Sequence, residues 1–104
     1  MSVKDKNNTI DQAALIAMSD FFKIMSDKTR LRILTELLNK SMCVMHISER
    51  VGMSQSATSH QLAILRRADL VKVKREGKTL IYSLSDEHVR LTLDMVLLHV
   101  SEDK

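Results

Sequence analysis

VMHISERVGMSQSATSHQLAILRRADLVKVKREGKTLIYSL, residues 44–84, is the stretch that decides the fold of this 104-residue chain. Its pattern predicts a short helix over 44–51 that stops at a glycine, then a longer helix over about 54–68. The apolar period then changes to two, which predicts a β-hairpin over about 70–84 with Gly77 in its turn. Two helices joined by a short turn and followed by a basic hairpin predict a winged helix-turn-helix, in which the longer helix is the recognition helix and the hairpin is the wing.

The segments on either side of this stretch predict further helices. Apolar residues at helical spacing predict one helix over 10–26 and another over 28–39, the second with Asp27 as its N-cap. After the hairpin, a last helix is predicted over about 86–101, with Ser85 as its N-cap. The chain has no proline and only two glycines, so we expect regular elements with short connections.

Length and composition bound the function. We expect a flexible arm over residues 1–9 and one domain over 10–104, mainly α with a small β-hairpin, which is small for an enzyme cleft. No run of 18 apolar residues and no charged-then-apolar leader is present, so we expect a cytoplasmic protein without a membrane partner. The single cysteine, Cys43, cannot form a disulfide within the chain and fits a reducing compartment.

The helix over 54–68 and the wing carry side chains that suit double-stranded DNA. Residues 54–78 hold an excess of four positive charges, which favours a polyanion partner. The candidate DNA-contacting residues of the helix are polar and crowd its first two turns: Gln55, Ser56, Thr58, Ser59, His60 and Gln61. Those of the wing are basic: Lys74, Arg75 and Lys78.

Each residue type in this set has a plausible DNA contact. Glutamine pairs with base edges, serine bonds bases or phosphates, the threonine methyl contacts thymine, and histidine contacts phosphate. The wing tip is expected to reach the flanking backbone or the minor groove. Only 3% of the residues are aromatic, so stacking on single strands or RNA is not expected. A polar, solvated helix and hairpin is the alternative interpretation.

Four metal-ligand types lie on the predicted last helix: Asp86, His88, His99 and Glu102. At 100° per residue, the eleven steps from His88 to His99 return to within about 20° of the same helical face. At 1.5 Å per residue the two rings lie about 16 Å apart, too far to share one ion. If the same helix of a second copy runs antiparallel, His88 of one chain meets His99 of the other. Two symmetric sites of two imidazoles and two carboxylates then form, a set that suits Zn(II) or Co(II).

Simpler interpretations of these four residues stay open. Asp86 could be a first-turn acid favoured by the helix dipole, and Glu102 could belong to a solvated tail. A metalloenzyme is disfavoured, because four protein ligands leave no open coordination position and no general base or pocket motif accompanies them.

Three stretches together resemble the ArsR/SmtB family of bacterial metal-sensing repressors. They are MSDKTRLRIL at 25–34, SQSATSHQL at 54–62 and VKREGKTLIYSL at 73–84, and the resemblance covers about residues 10–103. It implies a homodimeric winged-helix repressor whose first and last helices form the dimer interface. It further implies that the metal-free protein binds a palindromic operator and that metal binding releases it.

The resemblance also bears on the metal sites. The zinc-sensing branch has D-x-H near the start of the last helix and H-x-x-H or H-x-x-E near its end, a pattern that the four residues of the last helix match. It implies two Zn(II) or Co(II) ions per dimer. We expect His99 to donate its other ring N–H to a backbone carbonyl near Asp69, which would link the site to the recognition helix.

A second family site has a C-V-C or C-V-x-D motif before the recognition helix. Here the motif reads Cys43-Val44-Met45-His46, and residues 1–26 contain no cysteine or histidine to complete it. Cys43 and His46 are therefore only a candidate weak second site. Two alternative functions remain: a repressor of this type that responds to a soft metal or an oxidant at Cys43, and a metal-independent DNA-binding protein.

Overall fold

The computed structural model describes residues 4, 6–7 and 9–102 of the chain. These residues form five helices and three strands: α1 (Gln12–Met25), α2 (Lys28–Asn39), β1 (Met42–Cys43), α3 (Val44–Val51), α4 (Gln55–Arg67), β2 (Val71–Glu76), β3 (Thr79–Leu84) and α5 (Glu87–Ser101). The mainly α winged helix-turn-helix predicted from the sequence is confirmed. No helix in the described part is both long enough and apolar enough to cross a membrane.

The wing belongs to a three-stranded antiparallel sheet in the order β1-β3-β2. β2 and β3 pair from Val71↔Leu84 to Glu76↔Thr79, and Gly77 takes the left-handed conformation that their tight turn requires, with φ 65°. The third strand, β1, pairs Met42 with Tyr82 and was not predicted. Two residues are too few to show the alternating pattern by which a strand is detected.

The hydrophobic core lies between α2, α3, α4 and the sheet. Its fully buried large apolar side chains come from all of these elements: Ile33, Leu34, Leu37, Ile47, Leu62, Leu65, Leu70 and Val71. α4 therefore packs on the core through one face, and its opposite face remains free. Of α5, only Val89 and Leu93 are buried, so the second half of that helix extends beyond the core.

Side-chain caps fix where four of the helices begin. Asp27 accepts a hydrogen bond from the backbone N–H of Arg30 at 3.0 Å, and Ser54 accepts one from that of Ala57 at 3.1 Å, which confirms both predicted N-caps. The prediction of Ser85 as the cap of α5 is wrong.

Asp86 caps α5 instead. Its Oδ1 accepts the backbone N–H of Val89 at 3.0 Å. Serine and aspartate are both good caps, so residue type alone could not decide between neighbours. The Ser85 hydroxyl is engaged elsewhere, since it donates to the backbone carbonyl of Asp69 at 2.6 Å.

Most of the predicted flexible arm, residues 1–9, lies outside the described residues. Of those that are described, Lys4 forms an isolated antiparallel bridge with Ile10. α1 begins at Gln12, two residues later than predicted, because Asp11 caps it by accepting the backbone N–H of Ala14 at 3.0 Å.

Candidate DNA interface and metal half-site

The free face of α4 carries four of the six predicted DNA-contacting residues of that helix. Gln55, Ser56, Ser59 and His60 are all exposed along its first two turns. Small hydroxyl side chains stabilise the interior of a helix only weakly. Their concentration here is therefore better explained by contact with a partner than by a contribution to helix stability. This surface presents donors and acceptors on a rigid helix, as major-groove recognition requires.

Thr58 and Gln61 do not lie on that face. Thr58 is fully buried, and its hydroxyl donates to the backbone carbonyl of Ser54 at 2.8 Å. This burial removes its methyl group from any contact with thymine, contrary to the expectation from the sequence. Gln61 is half-buried at the flank of α4, where its Oε1 accepts a hydrogen bond from Arg30 Nη1 at 3.2 Å.

Arg67, in the last turn of α4, joins the free face. It follows Ser56 by eleven residues and His60 by seven, so all three side chains lie within about 40° of one another around α4. Arg67 is exposed. Helical spacing alone could have placed it on this face.

The wing presents its basic side chains to solvent. Lys74, Arg75 and Lys78 are exposed, and Lys74 and Arg75 lie on β2 opposite Ile81 and Leu80 of β3. Their cationic groups suit contacts with phosphates, which set the position of a protein on DNA without reading sequence.

The start of α5 brings two predicted metal ligands together. His88 Nδ1 lies 3.7 Å from Asp86 Oδ2, and the side chains are 92% and 51% exposed. Because Oδ1 of Asp86 holds the helix cap, Oδ2 is the oxygen that faces the imidazole. An aspartate oxygen and an imidazole nitrogen are two donors of the kind that Zn(II) accepts.

The other two predicted ligands lie at the far end of the same helix. His99 is in the last turn of α5 and Glu102 is its C-cap residue, and both are exposed. Among residues 4, 6–7 and 9–102, no three His, Cys, Asp or Glu side chains are grouped closely enough to hold a metal ion. One protomer thus divides the four candidate ligands between the two ends of α5, and this donor set could fit a metal only if a second copy completed each pair.

A hydrogen bond joins the start of α5 to the end of α4. The Ser85 hydroxyl donates to the carbonyl of Asp69, which has φ 61° and is the one non-glycine residue with positive φ in the described part. Asp86, one of the candidate metal ligands, directly follows Ser85 in the chain. The Asp69 carbonyl keeps its second lone pair, so the expected hydrogen bond from His99 to a backbone carbonyl near Asp69 is compatible with this arrangement.

Cys43 and His46 are not brought into a recognisable site. Cys43 is half-buried at the junction of β1 and α3, where it pairs with Ile81. His46 is half-buried and lines a cavity together with Glu36, Asn39, Lys40, Met42 and Arg50. Glu36 there is bonded to Arg50 at 3.0 Å, so its carboxylate already has a cationic partner.

Exposed large apolar side chains are concentrated on two helices. On α1 they are Leu15, Ile16, Met18 and Phe22, and on α5 they are Leu91, Met95, Val96, Leu97, Leu98 and Val100. Between the two helices lies a groove of about 310 Å³ that Phe22, Met25, Leu31, Leu93 and Val96 line with apolar atoms, beside Ser26 and Thr92. A continuous apolar surface of this extent is typical of a protein interface.

Known proteins share both the sequence and the fold. A sequence profile described as bacterial regulatory protein, arsR family, matches residues 27–73. The transcriptional repressor SmtB homolog of Synechocystis sp. is 39% identical over 94 residues, which cover 90% of this chain and 70% of that protein. The chain belongs to the ArsR family. The winged helix-turn-helix of this chain is therefore that of a family of bacterial transcriptional regulators.

Two further relatives of this ArsR-family protein match it over almost its whole length. The cadmium resistance transcriptional regulatory protein CadC homolog of Staphylococcus aureus is 35% identical over 98 residues, 93% of this chain and 76% of that protein. The homodimeric winged helix-turn-helix DNA-binding domain of Mb0332 from Mycobacterium bovis superposes with a TM-score of 0.81 and 26% identity. That alignment covers 98% of this chain and 92% of the other.

Proposed function

We propose that this ArsR-family protein is a homodimeric repressor that binds operator DNA without metal and releases it when Zn(II) or Co(II) binds, two ions per dimer, between the α5 helices. The observation that carries this proposal is the division of the four ligands: Asp86 and His88 meet at one end of α5, and His99 and Glu102 lie at the other. It is not an enzyme, and because its target is DNA we propose that it acts in the cytoplasm.

The DNA-binding step rests on the free face of α4 and the wing. α4 is held on the core by Leu62 and Leu65, so its exposed polar side chains are presented in a fixed orientation. In a twofold-symmetric dimer, two such helices lie about one turn of DNA apart and read a palindrome. The wing cations then contact the flanking backbone.

Gln55→Ala tests whether the free face of α4 is the face that reads DNA. We expect the affinity for an operator duplex selected from a randomised library to fall by about 1–3 kcal/mol, because the amide can bond a base edge. The dependence of the affinity on salt should stay the same, since no phosphate contact is lost. Fluorescence anisotropy at several salt concentrations measures both quantities.

Gln12→Ala is the matched control for this variant, because Gln12 is also an exposed glutamine in the first turn of a helix, α1. It should bind the operator as tightly as the wild type. Equal losses in the two variants, or none in Gln55→Ala, would remove Gln55 from the reading face.

The dimer step rests on the apolar surfaces of α1 and α5. Met95 is 64% exposed and lies close to the midpoint between His88 and His99 on nearly the same helical face. An antiparallel copy of α5 would cover the exposed apolar side chains around Met95, here called the apolar stripe of α5. It would also bring each Asp86–His88 pair to the His99–Glu102 pair of the other copy. The relative Mb0332 is described as homodimeric, which supports a homodimer for this chain as well.

The regulatory step rests on how α5 is attached. Arg90 donates to the carbonyl of Leu38 at the end of α2 at 2.8 Å, and Ser85 donates to that of Asp69 at the end of α4. Asp86 and His88 of one protomer, with His99 and Glu102 of the partner subunit, would hold the ion, which would supply a link between the two α5 helices. A shift of α5 would then move the end of α4 as well, because Asp86 caps α5 and the neighbouring Ser85 is bonded to the carbonyl of Asp69. Coupling of about 1–3 kcal/mol per site is typical for such linkage.

Zinc titration of the DNA complex tests the whole proposal. We expect zinc to weaken operator binding of the wild type by about a hundredfold or more, from two sites with that coupling. An unchanged affinity would make the chain a metal-independent DNA-binding protein. Release that survives in a protein with all four α5 ligands replaced but disappears in Cys43→Ser would move the sensing site to that thiol.

A further inference from the structure

Arg30 connects three helices through one side chain. Its Nε donates to the backbone carbonyl of Ile24 in the last turn of α1 at 3.0 Å, and its Nη1 donates to Oε1 of Gln61 in α4 at 3.2 Å. Its own backbone N–H, at the start of α2, is held by Asp27 at 3.0 Å. The half-buried guanidinium thus lies where α1 ends, α2 begins and α4 passes.

The chemistry of both bonds favours a rigid connection. A guanidinium has only donors, so Gln61 must turn its oxygen toward Arg30. The carbonyl of Ile24 is one of the last four of α1, which have no partner within the helix, and a positive charge suits that end of the helix dipole. Both bonds are charge-assisted, and the planar fork of arginine fixes the angle between them.

We propose that Arg30 is a positioning residue that holds the recognition helix in a fixed relation to α1, and that Gln61 is its anchor and not a base reader. The inference rests on the proposed function, because it takes α1 as part of the dimer interface. α1 presents Leu15, Ile16 and Phe22 to that interface while its last turn is bonded to Arg30. A shift of α1 in the dimer would therefore move α4 as well, and this would change the distance between the two DNA-reading faces.

Two variants test this connection from its two ends. Arg30→Lys keeps the positive charge but cannot donate in two fixed directions, and Gln61→Met keeps the length of the side chain but has no strong acceptor. We expect each to lower metal-free operator affinity by roughly tenfold, the size expected for one charge-assisted hydrogen bond. The double variant should bind as well as Arg30→Lys alone, because the bond that Gln61→Met removes is already lost in Arg30→Lys.

The control is Arg32→Lys, two residues along the same helix. Arg32 is exposed, and within the part of the chain that the structure describes its side chain makes one long hydrogen bond, to the carbonyl of Arg50 at 3.4 Å. We expect its affinity to stay within about twofold of the wild type. Circular dichroism and thermal unfolding check that each variant folds, and sedimentation checks that each remains a dimer.

Base preference separates positioning from base reading. Loss of positioning should weaken binding to single-substitution operator duplexes and to the operator alike, whereas loss of a base contact would relax the preference at one base pair. Such a local relaxation in Gln61→Met would overturn the proposal. So would additive losses in the double variant, or wild-type affinity in Gln61→Met, a result that stands even if Arg30→Lys fails to fold.

The zinc response separates this inference from the proposed function. We expect zinc to release Arg30→Lys from DNA less effectively than it releases the wild type, with zinc affinity unchanged. If zinc leaves the wild type on DNA, the proposed function fails, and the connection through Arg30 is then judged from metal-free affinity alone. A full zinc response in Arg30→Lys together with unchanged DNA affinity would overturn the connection.

Discussion

His99→Ala should abolish the release of operator DNA by zinc and leave metal-free affinity within about twofold of the wild type. His99 is exposed in the last turn of α5 and belongs neither to the buried core nor to α4, so its loss should not disturb folding or DNA binding. Each shared site would keep three of its four donors, and structural zinc sites use four. The change in affinity on adding zinc should fall from about a hundredfold to less than about threefold. Anisotropy titrations with and without zinc measure this ratio.

His46→Ala is the matched control, since it removes a histidine from the candidate second site and leaves α5 intact. His46 is half-buried in α3. Its variant should respond to zinc as the wild type does. Normal release in His99→Ala combined with a lost response in His46→Ala would place sensing at α3 and contradict the assignment to α5.

Met95→Glu should dissociate the metal-free dimer and lower operator affinity by more than about a hundredfold. Met95 lies in the middle of the apolar stripe of α5, and an unpaired carboxylate buried there costs several kcal/mol in each copy. A monomer reads only one half of a palindrome and loses the gain from linking two binding events. Sedimentation and anisotropy in the presence of a chelator measure both effects, because without metal the new carboxylate cannot act as a ligand.

Met45→Glu is the matched control for the dimer interface. Met45 is also an exposed methionine in a helix, 52% exposed on α3, and is distant in sequence from both apolar surfaces. It should sediment as a dimer. A Met95→Glu variant that remains a dimer would show that the stripe on α5 is not the interface.

The fold could be predicted well where a local pattern carries the information. The alternation in residues 70–84, the position of Gly77, and Asp27 and Ser54 as caps depend on neighbours within a few residues. β1 was missed because its two residues become a strand only by pairing with β3. That pairing is set by tertiary packing, which a single sequence does not display.

The same difference explains the DNA-contacting residues. A polar residue type at the start of α4 predicts an exposed side chain, and this holds for Gln55, Ser56 and His60. Thr58 is buried because it lies on the core-facing side of α4 with Leu62 and Leu65, and the carbonyl of the N-cap residue satisfies its hydroxyl without water. Gln61 is bonded to a residue 31 positions away, and no local pattern reveals such a partner.

The candidate metal site could be proposed from spacing because a helix has a fixed rise and turn per residue. The distance between His88 and His99 excludes a site within one chain, and in the described residues no three ligand side chains come together. The caps were less predictable. Asp86 serves both as the N-cap of α5 and as the neighbour of His88, and only the atomic arrangement shows that its two oxygens divide these tasks.

Mixed dimers test the central claim, that each metal site is shared between two protomers. A dimer that pairs a His88→Ala subunit with a His99→Ala subunit keeps one site with all four ligands, although neither homodimer of these variants keeps any. Zinc titration of purified mixed dimers, followed by a competing chelator, should give one tightly bound ion per dimer, with none in either homodimer. Absence of tight binding in the mixed dimer, with two ions in the wild type, would show that the sites do not span the protomers and would contradict the account.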